Sequence, residues 1–350
     1  MSAEPPLAAE IAPAHRFDVG RLERHLRTHI EDFGDDLVVR QFQGGASNPT
    51  FLLTTRRKDG PARYVLRKQP PGPLLASAHQ VDREYRIMAA LKATDVPVPV
   101  MRYLCEDADV IGTKFYVMDF LEGRVFRDAR LPGLAPAERT AIYDELNATL
   151  AKLHKVDYAA AGLGDFGRAG GYYERQISRW TKQYRGAETD AIPAMERLIE
   201  ALPGRIPADD AVTIAHGDYR LENTLFHPTE PKLLAVLDWE LSTIGHPLAD
   251  LAYNAFLWRS DNAAWGTMDG VDFNTSGIPT EAEYVADYCR RIGRTEINDW
   301  NFYMAFAIFR LASISQGVFR RVQSGTVASE RDPSNRAPHL AQTALSILES

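Results

Sequence analysis

Short apolar runs separated by turn residues dominate the first third of the chain, which is the pattern of β-strands. Five such runs occur, at 37–42, 50–55, 64–68, 101–105 and 114–120. Between the third and the fourth, Val81, Glu84, Met88 and Leu91 recur at the spacing of one helix face, which predicts a helix over 77–91. We therefore predict a small antiparallel sheet of five strands with one helix.

Helical spacing of apolar positions replaces this pattern after residue 121. It predicts helices over 136–156, 172–184, 281–291 and 300–322, and a short helix at the end of the chain. Thr280 and Glu283 form a capping box at the start of the third of these helices. The longest apolar run, 303–309, is shorter than the ~18 residues of a membrane span, so we expect a core helix there.

These patterns divide the chain into three parts. Residues 1–36 form an arm rich in alanine and proline followed by a helix, residues 37–121 form a sheet lobe, and residues 122–350 form a larger, mostly helical lobe. The prediction is an α+β fold with two lobes. A polar stretch in the helical part, 214–254, contains most of the candidate chemistry.

Composition narrows the class of protein. Of 350 residues, 45% are apolar and 25% charged, which is ordinary for a globular protein, and a net charge of −7 argues against nucleic acid as the main partner. The two cysteines, Cys105 and Cys289, are too far apart in sequence to indicate a disulfide framework or a metal cluster. The amino-terminal residues lack the basic start and apolar run of a signal peptide, so we expect a cytoplasmic protein without membrane partners.

The stretch 214–254 has the residues that phosphoryl transfer requires. Such a reaction needs a group that orients the acceptor hydroxyl and takes its proton, together with oxygen ligands that hold Mg²⁺ against the phosphates. Asp218 is the candidate catalytic base, and Asn223 follows five residues later. The apolar run 233–237 predicts a buried strand that delivers Asp238, and we expect Asn223 and Asp238 to be the metal ligands.

The sheet lobe contains cations and small residues that are suited to binding the phosphates of a nucleotide. The predicted third strand ends in Arg67 and Lys68, whose side chains point to opposite faces of the strand. Glu84 lies on the apolar face of the predicted helix, and a buried carboxylate requires a cationic partner. We expect that partner to be Arg67. A turn between the first two strands would let backbone N–H groups approach phosphate, and its candidate residues are Gly44, Gly45, Ser47 and Asn48.

The order and spacing of these residues resemble the aminoglycoside phosphotransferase-like branch of the protein-kinase-like superfamily. In that family a loop of the form H-G-D-x-x-x-x-N precedes a strand that ends in I/L-D-W/F. The resemblance is closest to the kinase-like domain that animals fuse to acyl-CoA dehydrogenases. The stretches that carry this finer match are GGASNPTFLL at 44–53, YVLRKQPPG at 64–72, REYRIMAAL at 83–91 and FAIFRLASISQGVFRR at 306–321.

The resemblance implies a two-lobed kinase-like fold and ATP- and Mg²⁺-dependent phosphorylation of a hydroxyl group on a small molecule, with hydroxyacyl compounds as suitable acceptors. It also implies that the segment with Met118, Asp119 and Leu121 contacts adenine, through the main chain at Asp119 and Leu121. One departure is His246, where many relatives carry aspartate, although Asp250 keeps its place.

Two other functions remain open from the sequence. A pseudokinase would bind nucleotide without transferring phosphate. A metal-dependent hydrolase would use His216, Asp218, Asp238 and His246 as mixed nitrogen and oxygen ligands. We also expect a solvated basic face, rather than a site for an anionic substrate tail, to be formed by Arg290, Arg291, Arg294, Arg310, Arg320 and Arg321.

Overall fold

The computed structural model of the chain describes residues 8–43, 48–70, 80–261, 266–324 and 334–350. The chain divides into two compact units. The first unit comprises Met1–Arg124 and Thr224–Leu241, and the second comprises Val125–Asn223 and Ser242–Ser350. The sequence-based division placed the whole of 214–254 in the helical lobe, whereas the segment with Asp238 groups with the sheet.

A six-stranded antiparallel sheet is the centre of the first unit. Its strands are β1 (Ala8–Ala9), β2 (Asp35–Phe42), β3 (Thr50–Arg57), β4 (Gly60–Lys68), β5 (Met101–Cys105) and β6 (Phe115–Asp119), in the spatial order β1-β2-β3-β4-β6-β5. The five predicted strands are therefore present. The additional strand β1 has two residues and pairs with the end of β2 at the edge of the sheet.

Two helices of the first unit are α1 (Val19–His29) and α2 (Val81–Leu91). Leu22 and Leu26 of α1 belong to the same buried cluster as Tyr64 and Leu66 of β4. Because successive side chains of a strand alternate between faces, Val65 and Arg67 of β4 lie on the opposite face. Helix α2 packs against β5 and β6.

The segment Thr224–Leu241 forms a hairpin that is bonded to the first unit. Strands β8 (Thr224–Phe226) and β9 (Leu233–Val236) pair antiparallel, and Phe226 exchanges backbone hydrogen bonds of 2.7 and 2.9 Å with Arg124. The N–H of Val236 also donates to the carbonyl of Pro97 at 2.9 Å. Gly123 permits this close approach, since a Cβ there would lie 2.3 Å from the Phe226 carbonyl oxygen.

The second unit is built mainly from helices. They are α3 (Pro136–His154), α4 (Tyr172–Ala187), α5 (Pro193–Ala201), α6 (Pro247–Ala255), α7 (Glu281–Ile292), α8 (Trp300–Gln323) and α9 (Ala337–Glu349). A short antiparallel pair, β7 (Thr213–Ala215) with β10 (Thr243–Gly245), joins the segments before and after residues 216–242. The predicted capping box of Thr280 and Glu283 is confirmed at the start of α7.

Helix α8 is the core of the second unit and packs against α4, α6 and α9. Its length and apolar composition would allow it to cross a membrane, but 78% of the residues in its most apolar window are buried within the protein. This burial supports the expectation of a core helix.

Candidate functional site

Arg67 is the centre of a charged cluster in the first unit. Its Nε lies 3.3 Å from Oε2 of Glu84, while Nη2 donates to Oδ1 of Asp238 at 2.8 Å and to Oε2 of Glu240 at 3.4 Å. The structure therefore joins three of the predicted site residues. It also adds Glu240, which the sequence reasoning did not select although it lies two positions after Asp238.

Glu84 is held in this cluster from several sides. Its side chain is 1% exposed, and it accepts hydrogen bonds from Nδ2 of Asn48 at 2.8 Å and from the hydroxyl of Tyr116 at 3.1 Å. Burial raises the pKa of Glu84 to about 7, against the opposing effect of the Arg67 charge. The helical spacing predicted that Glu84 lies on the inner face of α2. The structure has the carboxylate buried there, with Arg67 as its cationic partner.

Lys68 lies on the other face of β4. Its side chain is buried with Nζ 5.8 Å from the centroid of the Phe17 ring, and burial lowers the pKa of the amine. Phe17 in turn packs edge-on against Phe51 of the sheet core. Of the two cations predicted to bind phosphate, only Arg67 faces the carboxylate cluster.

Asp238 has an unusual backbone conformation. It follows β9 by two residues and has a φ of 65°, in the left-handed region that non-glycine residues seldom occupy. A 3-10 helix, Trp239–Leu241, follows directly, and Nε1 of Trp239 donates to the Val236 carbonyl at 3.0 Å. Such conformations persist where the surroundings impose them and are enriched at functional sites.

The predicted adenine-binding segment lies at the end of β6. Met118 is half-buried and pairs with Val65 of β4. The N–H of Asp119 donates to the Val100 carbonyl at 2.9 Å, so the main-chain group that Asp119 would offer to adenine is its carbonyl. Its carboxylate forms two hydrogen bonds with Arg102, of 2.6 and 2.7 Å.

The glycine-bearing turn between β2 and β3 is described only at its end. Gly44, Gly45 and Ser47 lie outside the described residues, so their predicted role stays a prediction from the sequence. Asn48 is described, and its amide faces Glu84. Leu121 follows β6 and is half-buried.

In the second unit, buried Asp250 anchors the loop that begins with His216. Its carboxylate accepts the N–H groups of His216 at 2.6 Å and Gly217 at 2.8 Å, and Nε2 of His154 lies 3.4 Å away. Burial alone would raise the pKa of Asp250, but the hydrogen bond and charge of His154 and the other donors outweigh it, so the pKa is lowered. Nδ1 of His154 also lies 2.6 Å from the Tyr288 hydroxyl, so both ring nitrogens have partners inside the second unit.

Asn223 turns back onto Asp218. Its Nδ2 donates to Oδ2 of Asp218 at 2.7 Å and to the Asp218 carbonyl at 2.8 Å. The five-residue spacing therefore produces a closed loop in which the amide nitrogen fixes the carboxylate and the amide oxygen, Oδ1, is left for another ligand. Arg220 contributes a further charge, with Nε 3.5 Å from Oδ1 of Asp218.

Two residues near this loop were not predicted as functional. Arg310 of α8 donates to the Gly217 carbonyl, and the negative charge of Asp218 contributes to raising the pKa of the Tyr253 hydroxyl on α6. The expected solvated basic face is wrong for Arg310, which is 6% exposed, because α8 is buried around most of its circumference. Arg291 and Arg294 also form ion pairs, with Asp144 and Asp209 respectively.

His246, the departure noted in the sequence, is the N-cap of α6. Its Nδ1 accepts the Leu248 N–H at 3.2 Å, the bond that a capping carboxylate would make. Its Nε2 lies 3.6 Å from Oδ1 of Asp209. Within the described part of the chain, no group of three or more histidine, cysteine, aspartate or glutamate side chains is arranged to hold a metal, so nothing favours the hydrolase alternative.

Comparison with protein families and solved structures identifies the family and the fold that the chain is similar to. The model of the phosphotransferase enzyme family matches residues 38–302. Acyl-CoA dehydrogenase family member 11 of Rattus norvegicus is 44% identical over 348 residues, which are 97% of this chain but only 44% of that relative. The chain thus spans less than half the length of this relative.

Solved structures extend the comparison to the fold. A candidate aminoglycoside phosphotransferase from Ralstonia eutropha is 48% identical, with a TM-score of 0.87 over 95% of this chain and 99% of that one. Aminoglycoside phosphotransferase APH(4)-Ia, solved as a mutant with AMP-PNP and hygromycin B, is 15% identical, with a TM-score of 0.61 over 93% and 98%. The predicted α+β kinase-like fold and the family resemblance are confirmed.

Proposed function

Because the chain belongs to the phosphotransferase enzyme family, we propose that it is an ATP- and Mg²⁺-dependent kinase that transfers the γ-phosphoryl group to a hydroxyl group of a small molecule. The observation that carries this proposal is the closed loop in which Asn223 fixes the Asp218 carboxylate at 2.7 Å. Phosphoryl transfer depends on positioning and charge more than on covalent chemistry, and this loop positions a carboxylate.

Asp218 is the residue that receives the acceptor proton. Its Oδ2 is bound to Asn223 and its Oδ1 lies 3.5 Å from Arg220, so the carboxylate has a defined orientation toward an incoming hydroxyl. Asp250 holds the two preceding N–H groups, which limits movement of the loop. In this role Asp218 orients the hydroxyl and holds its proton as the new bond to phosphorus forms.

Arg67 is the cation that we assign to the nucleotide phosphates. A guanidinium can donate to a phosphate oxygen through one edge while its Nε side stays against Glu84. Asp238 and Glu240 hold Nη2 in the structure, and phosphate oxygens would take the same donor when nucleotide binds. Glu84 is too buried to leave, so it keeps Arg67 in place.

Asn223 and Asp238 are the residues to which we assign Mg²⁺, from their place in the sequence pattern. Their chemistry fits: Asn223 has donated its amide N–H and retains an oxygen, and Asp238 has a carboxylate that is 33% exposed. Mg²⁺ is usually held by one or two such oxygens together with substrate phosphates. The ion would neutralise charge on the phosphates.

For the nucleotide, we assign the adenine contacts to the main chain near Met118, Asp119 and Leu121, and phosphate contacts to the turn that ends at Asn48. For the acceptor, we propose a hydroxyacyl-CoA or a related hydroxy compound. Relatives that contain a matching segment are named as acyl-CoA dehydrogenases, and these names support an acceptor that carries an acyl group. A cytoplasmic location remains part of this proposal.

Transfer can be tested with ATP, Mg²⁺ and a panel of hydroxyacyl thioesters, aminoglycosides, amino alcohols and sugars, with phosphorylated products detected by mass spectrometry. Asp218→Asn should lower turnover by ~10²–10⁴, the range for a lost general base, and leave Mg·ATP affinity within a few-fold. Asp190→Asn, at an exposed carboxylate after α4, is the matched control and should keep full turnover.

Two results would contradict this function. Wild-type turnover by Asp218→Asn would show that Asp218 does not receive the acceptor proton. Tight binding of Mg·ATP without transfer to any acceptor of the panel would favour the pseudokinase alternative.

A further inference from the structure

The loop that contains Asp218 is held from the α6 and α8 side by two residues that the catalytic assignment does not use. We propose that Arg310 and Tyr253 are positioning residues for Asp218: Tyr253 holds its carboxylate and Arg310 holds the preceding peptide. This role rests on the function proposed above, because it gives Asp218 as the group to be positioned.

Arg310 is a cation in an apolar helix. The residues of α8 from Phe302 to Ala312 are all buried, and Arg310 itself is 6% exposed. Its Nη2 donates to the carbonyl of Gly217, the residue before Asp218. The guanidinium carbon lies 5.3 Å from the ring centroid of Trp180 and 5.1 Å from that of Tyr253.

The charge of Arg310 is not used in a conventional ion pair. Among the described residues no carboxylate pairs with it, and its buried Nε has no hydrogen-bond partner. A buried charge without a carboxylate is costly, and two ring faces and one carbonyl compensate it only in part. A leucine or methionine would fill the same space at a lower cost, so the guanidinium is best explained by what it does for the Gly217 peptide.

Tyr253 connects the same guanidinium to the carboxylate of Asp218. Its ring faces Arg310, and its hydroxyl lies near enough to Asp218 for that carboxylate to raise the pKa of the hydroxyl. Burial, followed by the negative charge of Asp218, raises the pKa of the hydroxyl far above its usual range, so the hydroxyl stays protonated and is able to donate to the carboxylate. One side chain thus lies beside both the cation and the proposed base.

The backbone around Gly217 shows what Arg310 adds to the loop. Gly217 has a φ of 85°, so the chain turns sharply just before Asp218. Asp250 binds its N–H at 2.8 Å, and Arg310 binds its carbonyl. Asp250 and Arg310 thus bind successive peptide groups, one on each side of the Gly217 Cα. The second of these peptide groups is also held through the Asp218 N–H, which donates to Nδ1 of His216 at 3.1 Å. Arg310 fixes the carbonyl side of this peptide group, and Tyr253 lies beside the carboxylate that follows it.

Four variants test this role: Arg310→Met, Arg310→Lys, Tyr253→Phe and the double variant Arg310→Met/Tyr253→Phe. Arg321→Met, at an exposed position of the same helix, is the matched control. We expect Arg310→Met to lower kcat about 10- to 100-fold, the effect of a misplaced catalytic group, while Mg·ATP affinity and Tm stay near wild type. Arg310→Lys should recover part of kcat, because an ammonium can still bind the Gly217 carbonyl.

The double variant should lose less than the product of the two single losses, since both residues act through one carboxylate. Independent losses that multiply would overturn the shared role. A fall in kcat that follows Tm, with Arg310→Lys no better than Arg310→Met, would make Arg310 a purely structural residue. Wild-type kcat in Tyr253→Phe would show that Tyr253 does not position Asp218.

Amide hydrogen exchange gives a readout that does not depend on activity. Peptides covering 214–223 should exchange faster in Arg310→Met and Tyr253→Phe than in Arg321→Met, while peptides of β3 and β4 stay unchanged. Unchanged exchange at 214–223 would contradict the positioning role even if the wild-type protein transferred no phosphate. Absence of transfer by the wild type, with faster exchange in the variants, would contradict only the proposed function.

Discussion

Replacing Arg67 or Lys68 by methionine separates the two cations at the end of β4. Methionine keeps an unbranched apolar stem in place of either side chain and removes the charge. Arg67→Met takes the cation from between Glu84, Asp238 and Glu240, whereas Lys68→Met removes an amine that lies over the Phe17 ring. If Arg67 binds the nucleotide phosphates, only the first change should weaken nucleotide binding.

The magnitude follows from the bonds that are lost. A hydrogen bond to a charged group contributes about 1.5–3 kcal/mol, and 1.4 kcal/mol is a factor of ten, so kcat/KM for ATP should fall about 10- to 150-fold in Arg67→Met. Removing the cation leaves Glu84 buried, but its pKa is already raised to about 7, so it can take up a proton and keep its bonds with Asn48 and Tyr116. We therefore expect the protein to remain folded.

Isothermal calorimetry of Mg·ATP binding, with steady-state kinetics in parallel, measures the effect, and thermal unfolding checks that both variants are folded. Lys68→Met should bind Mg·ATP within about twofold of wild type, which is under 0.5 kcal/mol. The double variant Arg67→Met/Glu84→Gln controls for an unpaired carboxylate. A larger loss of affinity in Lys68→Met than in Arg67→Met, with equal Tm values, would refute the assignment of Arg67.

Two further outcomes concern stability. Mg·ATP at a hundredfold excess over Kd should add about 2.7 kcal/mol to the free energy of unfolding, seen as a higher Tm; no shift at millimolar nucleotide would count against the kinase. Gly123→Ala should cost about 1–3 kcal/mol in urea titration, since its Cβ would meet the Phe226 carbonyl, whereas Gly186→Ala, with open space in α4, should be neutral or stabilising.

Local sequence patterns were sufficient where the repeat of a single strand or helix determines which face a side chain occupies. The two-residue period of β4 selected Arg67 over Lys68, and the helical period of α2 placed Glu84 on the inner face; the structure has both arrangements. The spacing of Asp218 and Asn223 indicated a short loop, and the structure closes it with two hydrogen bonds. In each case the relevant partners lie on regular elements or within a few residues.

Long-range packing was not readable in the same way. Arg310 stands in an apolar run, but whether the end of that run is buried depends on α4 and α6, which are distant in sequence. The grouping of β8 and β9 with the first unit depends on bonds to Arg124 and Pro97, more than 100 residues away along the chain in each case. Periodicity describes one element at a time, so it could not supply either result.

The pH dependence of stability tests the role of His246 as a neutral N-cap. The histidine is 2% exposed, and its Nδ1 can accept the Leu248 N–H only when that nitrogen is unprotonated. Burial lowers the pKa of His246 from 6.5 to about 4, with Arg294 acting in the same direction and Asp209 opposing. The rings of Tyr173 and Tyr303 pack on the remaining sides.

Between pH 6.5 and about 4 the unfolded chain therefore binds a proton at His246 that the native state does not bind, so the free energy of unfolding falls as pH falls. Between pH 7 and pH 5 this amounts to about 2 kcal/mol. His246→Asn keeps a side-chain oxygen for the cap and cannot titrate, so urea titrations at the two pH values should show a loss smaller by about this amount than in wild type. An equal loss in wild type and His246→Asn would mean that His246 is not the group that titrates.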